Sequence, residues 1–481
     1  MSDHSWTTLL FLGELILKVL MIFVVLLQRK KTPSAKLAWI LLLVALPFVG
    51  SAIYLLVGTT RLGALRRKRH REILDLIPTG YASHCPDDDH VHECVIKNYQ
   101  PIASIAEAVG ASTVIGGNDA KLFGDSKEMI ASLAKDIGEA TSHCHVLSYI
   151  MLDDQAGKII SHAMSEATSR GIHCRLLIDA VGSKDFLHSK TCTDLRDSGV
   201  RVTAALPANL LRATLVRLDL RNHRKIAVID NAIGYVGSQN IAEPSFAPKP
   251  KYAPWVDASV RLVGPAVREL QAVFIQDWFM DSDENLSSLL KEQIPAVEGG
   301  FPVQFMATGP NSNNSALSNL LETSFHSSRE ELVITTPYFS PDTSTFSALL
   351  IAASRGVNTH LVLPARNDSF LVAAASRSLF SRLLEAGVVL HEFHGGLLHA
   401  KTMTIDRNLA LIGSANLDRR SLELNFEISM LVYDSDFASH LRFLQQSYMD
   451  NSTLLTKKTV SGWSIPERIW QNAVGLIAPI L

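Results

Sequence analysis

Apolar residues run almost unbroken from Leu9 to Leu27 and again from Leu37 to Val57. Each run is near the ~20 residues that a membrane-spanning helix needs. The pattern therefore predicts a transmembrane helical hairpin over residues 1–60, joined by a short basic bridge from Gln28 to Lys36. A cleaved signal peptide fits less well, because a basic n-region and a small-residue cleavage site are both missing and a second run follows closely. Glu14 and Lys18 interrupt the first run at i and i+4, the spacing of an ion pair on one helix face. Two readings fit that pair: a self-neutralised contact turned toward the second helix, or an intramembrane charge with a function.

Beyond the spans comes a basic juxtamembrane segment and connector over residues 61–110, with little periodicity after residue 72. From there strand-like and amphipathic helical stretches alternate, as an α/β domain requires. Val146–Ile150, Arg175–Ile178 and Lys225–Ile229 read as strands, with helices over 156–170 and 189–198. The later chain echoes this with Leu332–Thr335, His360–Leu363 and Val388–Leu390. Arg170-Gly171 and Arg355-Gly356 each end a helix before a strand, and a Pro/Gly-rich stretch near 290–302 divides the halves. The expected domains are 111–295 and 296–481, the second with a C-terminal tail. The first half has 24 residues from Gly199 to His223 where the second has 12 from Gly387 to His399. The additional Leu210–Leu220 segment, with Arg212 and Arg217, and the terminal Ile465–Leu481 stretch each read equally as interfacial or as packed helices.

Charge adds orientation but no polynucleotide partner. The chain has 481 residues and a net charge of −2, which gives no electrostatic footprint for nucleic acid. The bridge carries four Lys/Arg, while Arg61, Arg66, Arg67, Lys68, Arg69 and Arg71 follow the second run and Met1–Thr8 has none. Two spans put the N-terminal residues and the large C-terminal region on one side, so six charges against four favour a cytoplasmic catalytic region. The six would lie against anionic headgroups. Five scattered cysteines do not read as a disulfide framework. His143-Cys144-His145 and the Asp87–Cys94 stretch lack a paired cluster at zinc-like spacing, so no metal site is expected.

The chemistry lies in a repeat. His223-x-Lys225 with Asp230 recurs as His399-x-Lys401 with Asp406, and each continues into Gly-Ser-x-Asn: Gly237, Ser238, Asn240 and Gly413, Ser414, Asn416. Every motif residue repeats at an offset of 176 positions. A neutral imidazole can attack phosphorus, and a second can protonate the departing alcohol. Lys225 and Lys401 supply fixed positive charge for non-bridging oxygens, and Asn240 and Asn416 supply amide donors. In a strand, residues i and i+2 share a face, so each His and Lys would point into one cleft. Gly-Ser allows a tight chain path beside the ligand. Asp230 and Asp406 fit either a direct catalytic part or a turn that closes the strand.

These motifs resemble the phospholipase D superfamily. The resemblance implies two pseudo-symmetric α/β/α domains sharing one active centre, no metal or cofactor, and a phosphohistidine intermediate. It also implies an acidic residue that fixes the tautomer of a catalytic imidazole. Glu427 in Asn425-Phe-Glu427 matches that position in the second half, and Asp257 in Trp255-Val-Asp257 is the substitute in the first. Longer strings are similar to the bacterial cardiolipin synthase family: Pro33–Trp39, Pro47-Phe-Val-Gly50, Arg170–Arg175, Asp219–Lys225, Gly395–His399 and Asn416–Glu427. That resemblance implies a multi-pass inner-membrane phosphatidyltransferase with phosphatidylglycerol as donor and acceptor, yielding cardiolipin and glycerol. His223 would be the nucleophile and His399 the acid and base, with the pseudo-symmetry leaving the reverse assignment open. A membrane-bound hydrolase releasing phosphatidic acid would use every one of these residues.

Overall fold

A computed structural model describes residues 3–28, 33–58, 63–77, 98–110, 112–207, 217, 219–310 and 315–477. The body holds two copies of one strand pattern. The first copy has β1 (Ile115–Phe123), β2 (His143–Ser148), β3 (His173–Asp179), β4 (Arg201–Ala205), β5 (Ile226–Ile229), β6 (Ile233–Gly237), β7 (Trp255–Val256) and β8 (Ser259–Val263). The second begins with β9 (Phe301–Thr308), β10 (Glu331–Thr335), β11 (Phe339–Ser340), β12 (Asn358–Pro364), β13 (Val389–Phe393) and β14 (Leu397–Leu398). It continues with β15 (Thr402–Ile405), β16 (Leu409–Gly413), β17 (Leu417–Asp418), β18 (Glu427–Val432) and β19 (Ser452–Leu455).

Fifteen of these strands form one sheet, in the order β19-β13-β12-β10-β15-β16-β18-β9-β1-β8-β6-β5-β2-β3-β4. Outward from the central β9–β1 pair the two directions repeat the same elements, with β19 added at one edge. β1 and β9 run antiparallel, with Ile115 opposite Val303. The inner strands β5 and β15 are buried throughout; β5 is apolar along its length, and the two threonines of β15 find partners in Thr335 and Gln445. The largest core runs across the junction, joining Leu147, Val228 and Phe274 of the first copy to Phe305, Ile428 and Phe437 of the second.

The N-terminal region departs from the expected hairpin. It folds as α1 (Asp3–Leu26), α2 (Pro33–Ala45), α3 (Pro47–Val57) and α4 (Ala64–Leu76). The second apolar run is thus two helices, broken at Leu46, where φ is −136° and ψ is 74°. Pro47 opens α3 and cannot continue α2, because it has no N–H and its ring clashes with the preceding turn. Among the described residues no helix is long and apolar enough to cross a membrane. Glu14 and Lys18 do form an ion pair, at 2.6 Å.

The basic segment is also used differently from expectation. Arg66 pairs with Asp281, and Arg69 lies 2.9 Å from Asp283 and donates to the Met280 carbonyl. These two arginines therefore bind carboxylates of the body instead of lipid headgroups, and Ile73 and Ile77 enter the main core beside them. The connector is more ordered than its periodicity suggests, since the Gln100–Gly110 helix seats Ile102 and Ala106 against Leu317 and Leu321.

Asp87–Cys94, Arg212 and most of Leu210–Leu220 fall outside the described residues, and Arg217 pairs with Asp219 at 2.5 Å. The terminal stretch is a docked helix, Ile465–Ile477, with Val474 against Ala374 and Ala375 and Trp470 stacked on Phe370. His145 stacks on Phe274 within the core and meets Gln271 and Arg175 through its ring nitrogens. Among the described residues no group of three His, Cys, Asp or Glu side chains is placed to hold a metal ion.

Candidate active site

Each motif begins just ahead of a strand and ends in its turn. β5–β6 and β15–β16 are hairpins whose turns place Asp230, Asn231, Asp406 and Arg407 at φ of 49–54°. Asp tolerates that left-handed region when its short side chain bonds nearby backbone. Asp230 accepts from the backbone N–H groups of Thr141, Ser142 and His143 and from the Thr141 hydroxyl, all at 2.7–2.8 Å. Asp406 accepts from the N–H groups of Arg329, Glu330 and Glu331. Neither lines the cleft between the motifs. Of the two readings, the geometry therefore supports the turn: these aspartates tie each hairpin to the loop entering β2 or β10.

The histidines are held from the opposite copy. The His223 N–H donates to the Phe426 carbonyl at 2.9 Å, and the His399 N–H donates to that of Val256 at 2.7 Å. Each side chain follows its backbone. His223 Nδ1 lies 3.0 Å from Glu427 Oε2, and 3.1 Å from the Ser414 carbonyl. His399 Nδ1 lies 2.6 Å from Asp257 Oδ1. The carboxylates are crossed, with the first copy's acid serving the second copy's imidazole and the reverse. An Nδ1–H bonded to a carboxylate leaves the Nε2 lone pair free to face the cleft.

Ser238 and Ser414 support these carboxylates and do not face a phosphate. Ser238 Oγ donates to Asp257 at 2.6 Å, and Ser414 Oγ to Glu427 at 2.5 Å. Ser421 adds a bond to the other Glu427 oxygen at 2.8 Å. The motif glycines also serve the neighbouring strand instead of a ligand. A Cβ on Gly413 would lie 2.2 Å from the Ile428 carbonyl oxygen, and one on Gly237 would lie 2.5 Å from that of Ala258. Only glycine lets the strand after each acid come so close.

Both lysines are buried and donate to the carbonyl of their own motif histidine, Lys225 at 2.6 Å and Lys401 at 2.5 Å. Burial lowers Lys225 to about 8. Burial, with the charge of Lys225 adding to it, lowers Lys401 to about 7. Both imidazoles fall to about 4, chiefly through burial, with the lysine charges working the same way against the pull of the carboxylates. The imidazoles are therefore neutral at pH 7. Burial works to raise Asp257, yet His399, Lys401 and Ser238 together hold it below the ordinary carboxylate range.

A cavity of about 410 Å³ opens over His223, His399, Asn240 and Asn416. Asn240 Oδ1 accepts from the Ile150 N–H, which leaves its amide donors for the cleft. Several residues here take places that the motif spacing does not assign. Tyr149 packs on His223 at 4.9 Å and Trp255 on His399 at 4.6 Å between ring centroids. Arg221 and Arg420 line the wall, and Asp368 bridges Tyr338 and Lys249 at 2.6 Å each across the rim. Buried Arg224 joins the copies, pairing with Asp277 at 2.8 Å and donating to the Glu427 and Thr308 carbonyls. Arg224 sits inside the motif between His and Lys, but nothing in its spacing announces a partner 53 positions away.

The family model described as "cardiolipin synthase, PLD-like domain" matches residues 133–278 and 321–446, and a phospholipase D-nuclease N-terminal model matches 16–58. Cardiolipin synthase A of Buchnera aphidicola subsp. Schizaphis graminum is 34% identical over 464 residues, covering 95% of both chains. Cardiolipin synthase A of Salmonella arizonae is 34% identical and covers 99% of this chain and 98% of its own. The crystal structure of a phosphatidylserine synthase from Haemophilus influenzae superposes with a TM-score of 0.59 at 16% identity, over 75% of this chain and 95% of its own.

Proposed function

The chain belongs to the phospholipase D-like cardiolipin synthase family, and from that premise we propose that His223 and His399 pass a phosphatidyl group between two phosphatidylglycerols. The observation that carries this reading is the crossed pairing of two neutral imidazoles, each oriented by a carboxylate, over one cavity.

As the anionic phosphate of the donor lipid enters, His399 takes up a proton on Nε2. His223 Nε2 then attacks phosphorus, the P–O bond to glycerol breaks, and His399 gives its proton to the leaving oxygen. A second phosphatidylglycerol places a terminal hydroxyl where glycerol left. His399 removes that proton, the new oxygen attacks phosphorus, and the P–N bond to His223 breaks to release cardiolipin. Lys225, Lys401, Asn240 and Asn416 hold the non-bridging oxygens through both displacements. Asp257 and Glu427 position the imidazoles and touch no substrate. One phosphodiester replaces another, so the step needs no nucleotide.

The anchor favours a lipid over a polynucleotide. α1 to α3 expose Phe11, Ile16, Val19, Phe23, Leu41 and Phe48 at 59–66%, a surface suited to the hydrocarbon of a bilayer. We place the protein at the bacterial inner membrane with its body on the cytoplasmic side. The test is purified protein in detergent with phosphatidylglycerol as the sole lipid and no divalent metal, with products read by mass spectrometry. Cardiolipin with free glycerol, lost in His399→Ala, is the expected result. Phosphatidic acid without cardiolipin would leave a hydrolase on the same two half-sites.

A further inference from the structure

The second apolar run does not extend along one axis. Residues 15 apart in an unbroken helix are separated by about 22 Å, but the rings of Trp39 and Tyr54 stand 5.0 Å apart, edge to face. Residues eight apart would be about 12 Å away, but a Cβ on Gly50 would lie 2.9 Å from the Leu42 carbonyl oxygen. α3 therefore folds back along α2 from the bend at Leu46. Trp39, Leu43 and Tyr54 fill the seam, and Met21 and Val25 of α1 close it.

The outside of this folded pair is apolar. Leu37, Leu41, Val44, Leu46, Phe48 and Val49 are 50–62% exposed, and no charged residue occurs between Lys36 and Arg61. The bend itself carries Leu46, Phe48 and Val49, which no aqueous surface stabilises. α2 and α3 have 13 and 11 residues, so at 1.5 Å per residue they reach about 16–20 Å, little more than half of a ~30 Å hydrocarbon layer. In sequence, the charged flanks adjoin the start of α2 and the end of α3, not the bend between them.

We propose that α2–α3 is a re-entrant hairpin that enters and leaves the same face of the bilayer, so that the basic bridge before it and the catalytic body after it share one side. The inference rests on the membrane attachment argued above and changes its topology. By chain position Arg29, Lys30, Lys31 and Lys36 join the six basic residues that follow the hairpin, giving ten on one side. The charge rule then favours the cytoplasmic face for that side, because the four basic residues of the bridge add to the six after the hairpin and no longer oppose them. Arg66 and Arg69, clamped to Asp281 and Asp283, tie the helix that follows the hairpin to the body.

The test uses the full chain with its five cysteines replaced, shown first to make cardiolipin, in right-side-out and inverted membrane vesicles. Gln28→Cys, Phe48→Cys and Leu65→Cys are each exposed to a membrane-impermeant maleimide. A re-entrant hairpin gives labelling of Gln28→Cys and Leu65→Cys from the same face, at a ratio near one, with Phe48→Cys silent until detergent is added. Labelling of those two sites from opposite faces overturns the proposal and restores a straight span. Labelling of Phe48→Cys in intact vesicles, with release of the protein by alkaline extraction, overturns the membrane attachment itself.

Discussion

His399 Nδ1 lies 2.6 Å from Asp257 Oδ1, and the two residues belong to different copies of the repeat, 142 positions apart. His223 makes the reciprocal contact with Glu427 at 3.0 Å. Neither copy holds a complete imidazole–carboxylate pair of its own.

Asp257→Asn and Glu427→Gln keep the shape of each contact but remove the charge that fixes the tautomer. Each is expected to lower the rate of cardiolipin formation by roughly 10²–10⁴-fold, the range of acid–base catalysis. The two differ on a phosphatidyl ester of nitrophenol, whose departure needs no proton. There Asp257→Asn recovers formation of the phosphoenzyme, while Glu427→Gln does not. The opposite pattern would exchange the roles of His223 and His399.

Activity is expected to show an early alkaline limb. Lys401 at about 7 and Lys225 at about 8 lose their protons as pH rises through that window, and the phosphate loses its counter-charge. kcat/KM is expected to fall as pH rises through about 7 to 8, well before an ordinary lysine near 10.4 would titrate. Lys401→Arg keeps its charge at every pH, so it moves the limb upward at a lower maximum rate. A limb near pH 10 in the unmodified protein contradicts this assignment.

Asp230 and Asp406 are expected to govern stability more than chemistry. Asp230→Ala leaves three N–H groups and a hydroxyl without their acceptor, a loss of about 1–3 kcal/mol and several degrees in Tm. Turnover per folded molecule at low temperature should stay within a few-fold of the unmodified chain. A thousandfold loss in fully folded protein would return Asp230 to the catalytic set.

Gly413→Ala presses a methyl against the Ile428 carbonyl, 2.2 Å from where the Cβ would sit. Overpacking of this kind costs about 1–3 kcal/mol. The strand displaced is the one that begins with Glu427, so activity at full folding should also fall, and restoring the activity by lowering temperature should fail. Unchanged kinetics would show that β18 can shift without disturbing His223.

The side chains of the candidate site are legible because each copy packs them into a span under 20 residues, and a repeat doubles the signal. The strands expected at 146–150, 175–178, 225–229, 332–335, 360–363 and 388–390 lie within a few residues of their observed bounds, while strands such as β1, β4, β8, β9 and β18 carry no comparable local signal. What spacing could not carry was pairing at long range. Glu427 and Asp257 were visible as acids, but which imidazole each serves depends on how the copies face one another. The serines and glycines were assigned to the ligand because local sequence does not reveal the strand beside them. Hydropathy failed in a different way at Leu37–Val57, since an apolar run has the same average whether it is straight or folded at Pro47. Arg66 and Arg69 looked free for lipid because Asp281 and Asp283 lie more than 200 positions away.

The exchange of carboxylates between copies bears on ancestry. A precursor with a single copy would have had an imidazole and an acid that could not meet within one chain. It could have worked only as a two-fold dimer, each molecule orienting its neighbour's histidine. Fusion of two such genes would have freed the halves to diverge, and an aspartate opposite one histidine with a glutamate opposite the other is the trace that divergence leaves.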